Sequence, residues 1–76
     1  MQTETVVERL ASAVRAEMAR KRITQGGLAA ALGVSPAAVS RRLNGVVEFS
    51  VSELETVAHL VGLTAEALLA TARTSS

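Results

Sequence analysis

Ala37, Ser40, Arg41 and Asn44 stand at positions i, i+3, i+4 and i+7, the spacing that aligns four side chains along one side of an α-helix. The set is small, polar and cationic. A guanidinium such as that of Arg41 presents a planar fork of donors and can pair doubly with guanine O6 and N7, or with a phosphate. Ala37 can touch a thymine methyl, and the Ser40 hydroxyl can bond a base edge or a phosphate. The opposite side of the same stretch carries Val39 and Leu43, with Pro36 beside them. A helix that is apolar on one side and of this character on the other suits insertion into a DNA groove.

Such a helix needs an entry, an exit and a support. Residues 24–45, TQGGLAAALGVSPAAVSRRLNG, supply all three. Thr24 is an N-cap for a helix over residues 25–32, whose buried side is Leu28, Ala29 and Leu32. The pair Gly26-Gly27 falls in its first turn, where the cost of glycine is small. Gly33 terminates that helix, Val34 points inward, Ser35 caps the next helix, and Pro36 takes its first position, where a missing N–H costs nothing. The next helix runs to Leu43 or Asn44, and Gly45 ends it. Ala29 is small where the two helices cross, and Val39 packs back on the first. Helix, tight turn and helix with a free face make a helix-turn-helix.

The flanking segments read as supports. Over residues 5–22, Val7, Leu10, Val14 and Met18 form a single apolar helical stripe. Thr5 with Glu8 matches a capping box, with Thr3 as an alternative start. Arg20-Lys21-Arg22 closes this helix against its negative dipole end, a role compatible with phosphate contact. Ile23 then drops inward. Residues 46–51 read as a loop whose Phe49 plugs the core. Ser52 with Glu55 is expected to open a fourth helix with the stripe Leu54, Val57, Ala58 and Val61, ended by Gly62. Thr64 caps a fifth helix with Leu68, Leu69 and Ala72 on its apolar edge. Residues 73–76 read as a frayed polar tail. The expectation is a single all-α domain of five helices over residues 1–76.

Composition excludes several classes. At 76 residues only about 60–65% of the unfolded surface is buried, so helix packing must supply most of the stability. Without cysteine there is no disulfide and no thiolate–metal site. A single histidine, His59, gives no zinc site, and it reads as solvated; neither metal nor cofactor is expected. Phe49 is the only aromatic residue, too few for a platform stacking single-stranded bases. The net charge of +1 is unevenly placed. Between positions 15 and 45, six cations (Arg15, Arg20, Lys21, Arg22, Arg41, Arg42) face one acid, Glu17, while the remainder carries two cations and six acids. Positive charge gathers around the helix pair, as a phosphate-binding surface requires. No phosphate loop, paired acids or nucleophile–base set is present, so no enzyme is expected. The early acids of the N-terminus and the absence of an apolar run near 20 residues speak against a signal peptide or a membrane span, which suggests a soluble, cytoplasmic protein with no membrane partner.

Through Thr-Gln-x-x-Leu-Ala, Leu-Gly-Val-Ser, Val-Ser and the closing Val-Gly-Leu-Thr, the whole chain resembles the Cro/lambda-repressor (XRE-like) type of helix-turn-helix domain. The resemblance implies the five-helix lambda-repressor-like fold, with Gln25 and Ser35 at the DNA backbone, Pro36, Ala37 and Arg41 facing base edges, and Asn44 near backbone at the helix end. Many relatives carry polar readers where this chain has Pro36 and Ala37, so DNA shape is expected to carry part of the specificity. They often have an aliphatic residue at the position of Arg42, whose packing Leu43 takes over here. The expected phosphate set is Gln25, Ser35, Arg42 and Asn44 with Arg20, Lys21 and Arg22; the expected base readers are Pro36, Ala37, Ser40 and Arg41.

These readings converge on a transcriptional regulator of a double-stranded DNA operator, a repressor of the phage Cro or immunity-repressor kind, with no small-molecule ligand. One short helix reads few base pairs, so a homodimer on DNA with half-sites about 34 Å apart is expected. Leu60, Leu63 and Leu69 are candidates for the two-fold contact, Leu63 and Leu69 being better suited to completing the core. The alternative is a protein-interaction module, such as an antitoxin or anti-repressor.

Overall fold

Five hydroxyl side chains decide where the helices begin. In the computed structural model, which describes residues 4–74, Thr5, Thr24, Ser35, Ser50 and Thr64 each accept the backbone N–H three residues on, at 3.0–3.1 Å. Each contact satisfies one of the donors that a helix start leaves orphaned. The helices that follow are α1 (Val6–Lys21), α2 (Gln25–Leu32), α3 (Pro36–Leu43), α4 (Val51–Leu60) and α5 (Ala65–Thr74), with no strand among the described residues. This is the expected all-α, five-helix architecture, with the helix-turn-helix at α2 and α3.

At α1 the capping box is complete, because the Thr5 N–H also donates to Glu8 Oε1 at 2.8 Å. The alternative start at Thr3 lies outside the described residues. At α4 the expected cap is displaced by two residues. Ser50, not Ser52, is the N-cap, and its N–H donates to Glu53 Oε1 at 2.9 Å, closing the box with Glu53 rather than Glu55. Both serines have a glutamate three residues later. What separates them is the residue before the cap: Phe49 is buried and lines the same groove as Leu54, four residues past the Ser50 cap. That pair is a hydrophobic staple, and a start at Ser52 would have used Val51 and Thr56 instead. The fifth helix also runs further than expected. Arg73 and Thr74 are helical, with Thr74 Oγ1 donating to the Ala70 carbonyl at 2.9 Å, because fully buried Ala72 holds the last turn on the core. Residues 75–76 of the expected tail lie outside the described residues.

Helix ends turn the chain sharply. Gly33 takes a φ of 69° between α2 and α3, as its position requires. Arg22 does the same after α1 at a φ of 58°, a conformation that a side chain normally resists. There the Ile23 N–H bonds the Met18 carbonyl at 2.9 Å, and Ile23 folds half-buried against the core.

The core draws on all five helices and on Phe49. Leu10, Val14 and Met18 of α1 meet Leu28 and Ala29, Val39 and Leu43, Leu54, Val57 and Ala58, and Leu68 and Ala72. Val61 is buried too, whereas Val7 and Leu32 are only half-buried. Helix α1 lies against α5 and α3, α2 against α3 and α4, and α4 against α5. Helix α1 therefore braces α3 and α4 braces α2, while α5 packs behind both supports.

Gly45 shows how tightly α3 is held. It combines a φ of 74° with a close approach to α1, since a Cβ there would stand 3.2 Å from Glu8 Cα and 3.1 Å from Glu8 Cγ. Gly45→Ala is expected to destabilise the fold by about 1–3 kcal/mol. A Cβ at Gly26 would meet nothing within 4 Å, so Gly26→Ala is expected to stabilise by up to about 1 kcal/mol. Urea denaturation of the two variants measures both.

Candidate nucleic-acid interface

Burial divides α3 in two. Val39 and Leu43 are buried in the core, while Pro36, Ala37, Arg41 and Asn44 are exposed and Ser40 is half-exposed. The four side chains at i, i+3, i+4 and i+7 do share an outward face. Among the described residues, no hydrogen bond or ion pair engages the Arg41 guanidinium. Asn44 Nδ2 lies 3.4 Å from Ser40 Oγ, a long contact across one turn.

The helix ends leave little backbone wanting. Ser35 Oγ accepts the Ala38 N–H at 3.1 Å, and Pro36 has no N–H to satisfy. At the other end the Ser40, Arg41 and Arg42 carbonyls accept from the N–H groups of Asn44, Val46 and Gly45 at 3.0, 2.9 and 3.2 Å. The Leu43 carbonyl accepts from Arg15 Nη1 on α1, and Arg15 Nη2 donates to Ser12 Oγ at 3.0 Å. Sequence reading counted Arg15 only as part of the positive patch. Its role as a C-terminal cap for α3, 28 residues away, has no local signature.

Arg42 stands differently from the expectation that set it among the phosphate-contacting groups. Its side chain is 17% exposed and folds back on the protein, with Nε donating to Glu53 Oε1 at 3.0 Å and Nη1 to the Ala38 carbonyl at 3.1 Å. The cause is the α4 cap. Because the helix starts at Ser50, Glu53 sits in its first turn and presents its carboxylate to the neighbouring arginine. Leu43 is buried, as the aliphatic replacement expected at this helix end.

Around α3, Gln25 is exposed and lines a shallow groove with Arg15, Ile23 and Leu43, so the start of α2 and the end of α3 meet there. Ser35 is committed to its cap but remains exposed. Arg20 and Lys21 are exposed in the last turn of α1, and Arg22 in the turn that leads into α2. Arg20 contacts Glu17 at 3.4 Å across one turn, and its own side chain stays open to solvent, which leaves the pair little strength.

The three candidate dimer leucines are not gathered into one patch. Leu60 is 39% exposed, whereas Leu63 and Leu69 are half-buried on the core and line different grooves. The most exposed large apolar side chains are instead Val46 and Val51, at 72% and 75%. Sequence reading placed both in one loop and missed them. His59 is exposed in the last turn of α4. No group of three acids or histidines among the described residues can hold a metal ion. No single helix among them is long and apolar enough to cross a membrane.

Comparison with known proteins places this geometry in context. Residues 2–76 match the BetR domain family. Two crystal structures of the clp gene regulator ClgR from Corynebacterium glutamicum are similar, each at 32% identity over 97% of this chain. One superposes with a TM-score of 0.86 and is covered over 95% of its length; the other gives 0.88 with 79% covered. No protein with a curated description matches the sequence.

Glu53 gives the site an acid-sensitive element. The hydrogen bond from the Ser50 N–H holds its carboxyl below the ordinary value of 4.5, and the Arg42 guanidinium adds to this against the opposing effect of burial. A carboxyl whose pKa is lowered on folding stabilises fully above its unfolded value, and that stability is lost as pH falls through the folded one. The stability advantage of the wild type over Glu53→Gln is therefore expected to be constant at neutral pH and to shrink below about pH 4.5. Urea midpoints measured from pH 7 to pH 3 test this.

Proposed function

The chain belongs to the BetR domain family, and on that premise we propose that it is a sequence-specific, double-stranded DNA-binding transcriptional regulator that lays α3 in the major groove. The observation that carries the reading is the exposed face of Ala37, Ser40, Arg41 and Asn44 on a helix with both ends capped, with Arg41 free of protein partners among the described residues. Similarity to ClgR, itself a regulator of clp genes, supports a regulatory role. Pro36, Ala37, Ser40 and Arg41 face the bases. Gln25, Ser35, Asn44, Arg20, Lys21 and Arg22 hold the backbone and set the register without reading sequence. Arg42 leaves this set because Glu53 already holds it.

The finer reading is a repressor of the phage Cro or immunity-repressor kind, acting in the cytoplasm. Repression requires only occupancy of an operator that overlaps a promoter. A face with one strong base reader recognises few base pairs, so two copies on half-sites about 34 Å apart complete the recognition. Leu60 is the exposed member of the candidate contact set. The protein-interaction alternative draws on exposed Val46 and Val51, and one variant separates the two readings.

Arg41→Ala is expected to fold normally and to lose about 1–3 kcal/mol of discrimination between operator and random duplex. Sites selected from a random DNA pool supply the operator, and competition binding gives the difference. Unchanged preference in this variant overturns the readout. For the wild type, log affinity is expected to fall linearly with log salt, with a slope of about −0.9 per phosphate contact. A flat response overturns the electrostatic surface.

A further inference from the structure

Arg41 and Arg42 are neighbours with opposite environments. Arg41 is exposed without a partner among the described residues, while Arg42 is bound at two of its nitrogens. Its acceptor is itself immobilised. Glu53 Oε1 takes the Ser50 N–H at 2.9 Å as well as Arg42 Nε at 3.0 Å. The carboxylate therefore cannot follow a departing arginine without opening the cap of α4. Both side chains are only 17% exposed, so water weakens this pair less than it weakens Arg20–Glu17, whose arginine is 68% exposed. A phosphate that recruited Arg42 would have to break a charge-assisted bond and a bond to the Ala38 carbonyl, leaving a half-buried carboxylate with one partner fewer.

We propose that Glu53 sets the sequence-independent strength of DNA binding by retaining the Arg42 guanidinium on the protein, so that α3 offers the duplex one arginine rather than two. The inference rests on the DNA-binding reading above. A guanidinium that reaches a phosphate displaces a condensed counterion and strengthens binding to operator and random duplex alike. Withholding Arg42 keeps that uniform term small. It leaves Arg41 as the cation of the helix whose contact depends on the base it meets.

Fluorescence titrations of the full chain with operator and random duplex, at salt concentrations from 50 to 200 mM, test the proposal. Glu53→Gln keeps the capping box, since glutamine serves at that position, and weakens the hold on Arg42; Glu53→Ala removes it. Both variants are expected to bind either duplex more tightly than the wild type and with a salt slope steeper by up to about 0.9. The advantage of Glu53→Ala then shrinks by about 3–4-fold across that salt range. Arg42→Gln alone is expected to keep the wild-type slope, as is Glu55→Gln, which removes the same charge from an exposed position on the same helix. An unchanged slope in both Glu53 variants overturns the proposal. So does a slope shallower by about 0.9 in Arg42→Gln, which places Arg42 on a phosphate already, or an equal steepening in Glu55→Gln, which reduces the effect to net charge. A flat wild-type response overturns the DNA-binding reading and this inference with it, whereas a normal wild-type slope with unaltered Glu53 variants overturns this inference alone.

Discussion

Eight residues are too few for a helix to persist in water on propensity alone, yet α3 is an eight-residue helix with one whole side open to solvent. It exists because Val39 and Leu43 are buried, each contributing about 1.5–3 kcal/mol on leaving water. Helices α1 and α2 pack directly against α3, and the rest of the shared core backs them. Gly45 against Glu8 marks how closely the end of α3 is pressed onto α1. If this packing loosened, α3 would have neither a fixed direction nor a stable backbone on which to carry Arg41.

The polar contacts complete what burial begins. Ser35 caps one end of α3, Arg15 reaches from α1 to the other, and Glu53 holds Arg42 from α4. Three elements thus grip a helix too short to hold itself, and none of them covers its outer face. The cations of the central region consequently divide by task. Arg15, though exposed, is tied to backbone and Arg42 is folded back on a carboxylate, whereas Arg41, Lys21 and Arg22 face solvent. Charge counting along the chain treats all of them alike.

Local chemistry was readable from sequence where a residue's role depends on its near neighbours. The caps at Thr5, Thr24, Ser35 and Thr64, the turn at Gly33 and the stripes of α1 and α4 follow from spacing and stereochemistry within a few residues. The α4 start shows the limit of such reading. Two serine–glutamate pairs compete there on equal local terms, and burial of Phe49 with Leu54 decides for Ser50. That choice brings Glu53 to Arg42. Leu60, Leu63 and Leu69 show the same limit, since apolar residues on or near short amphipathic helices look alike until packing shows which grooves they line.

The sequence by itself determined the five helices, the helix-turn-helix and the outward face of Ala37, Ser40, Arg41 and Asn44, because periodicity and capping act over one or two turns of backbone. Tertiary structure alone decided which arginine of the adjacent pair remains available and which groups lock α3 in place. Those outcomes depend on Arg15, Arg42 and Glu53 meeting across 28 and 11 residues of chain. Such meetings are set by how whole helices pack, and no spacing within α3 encodes them.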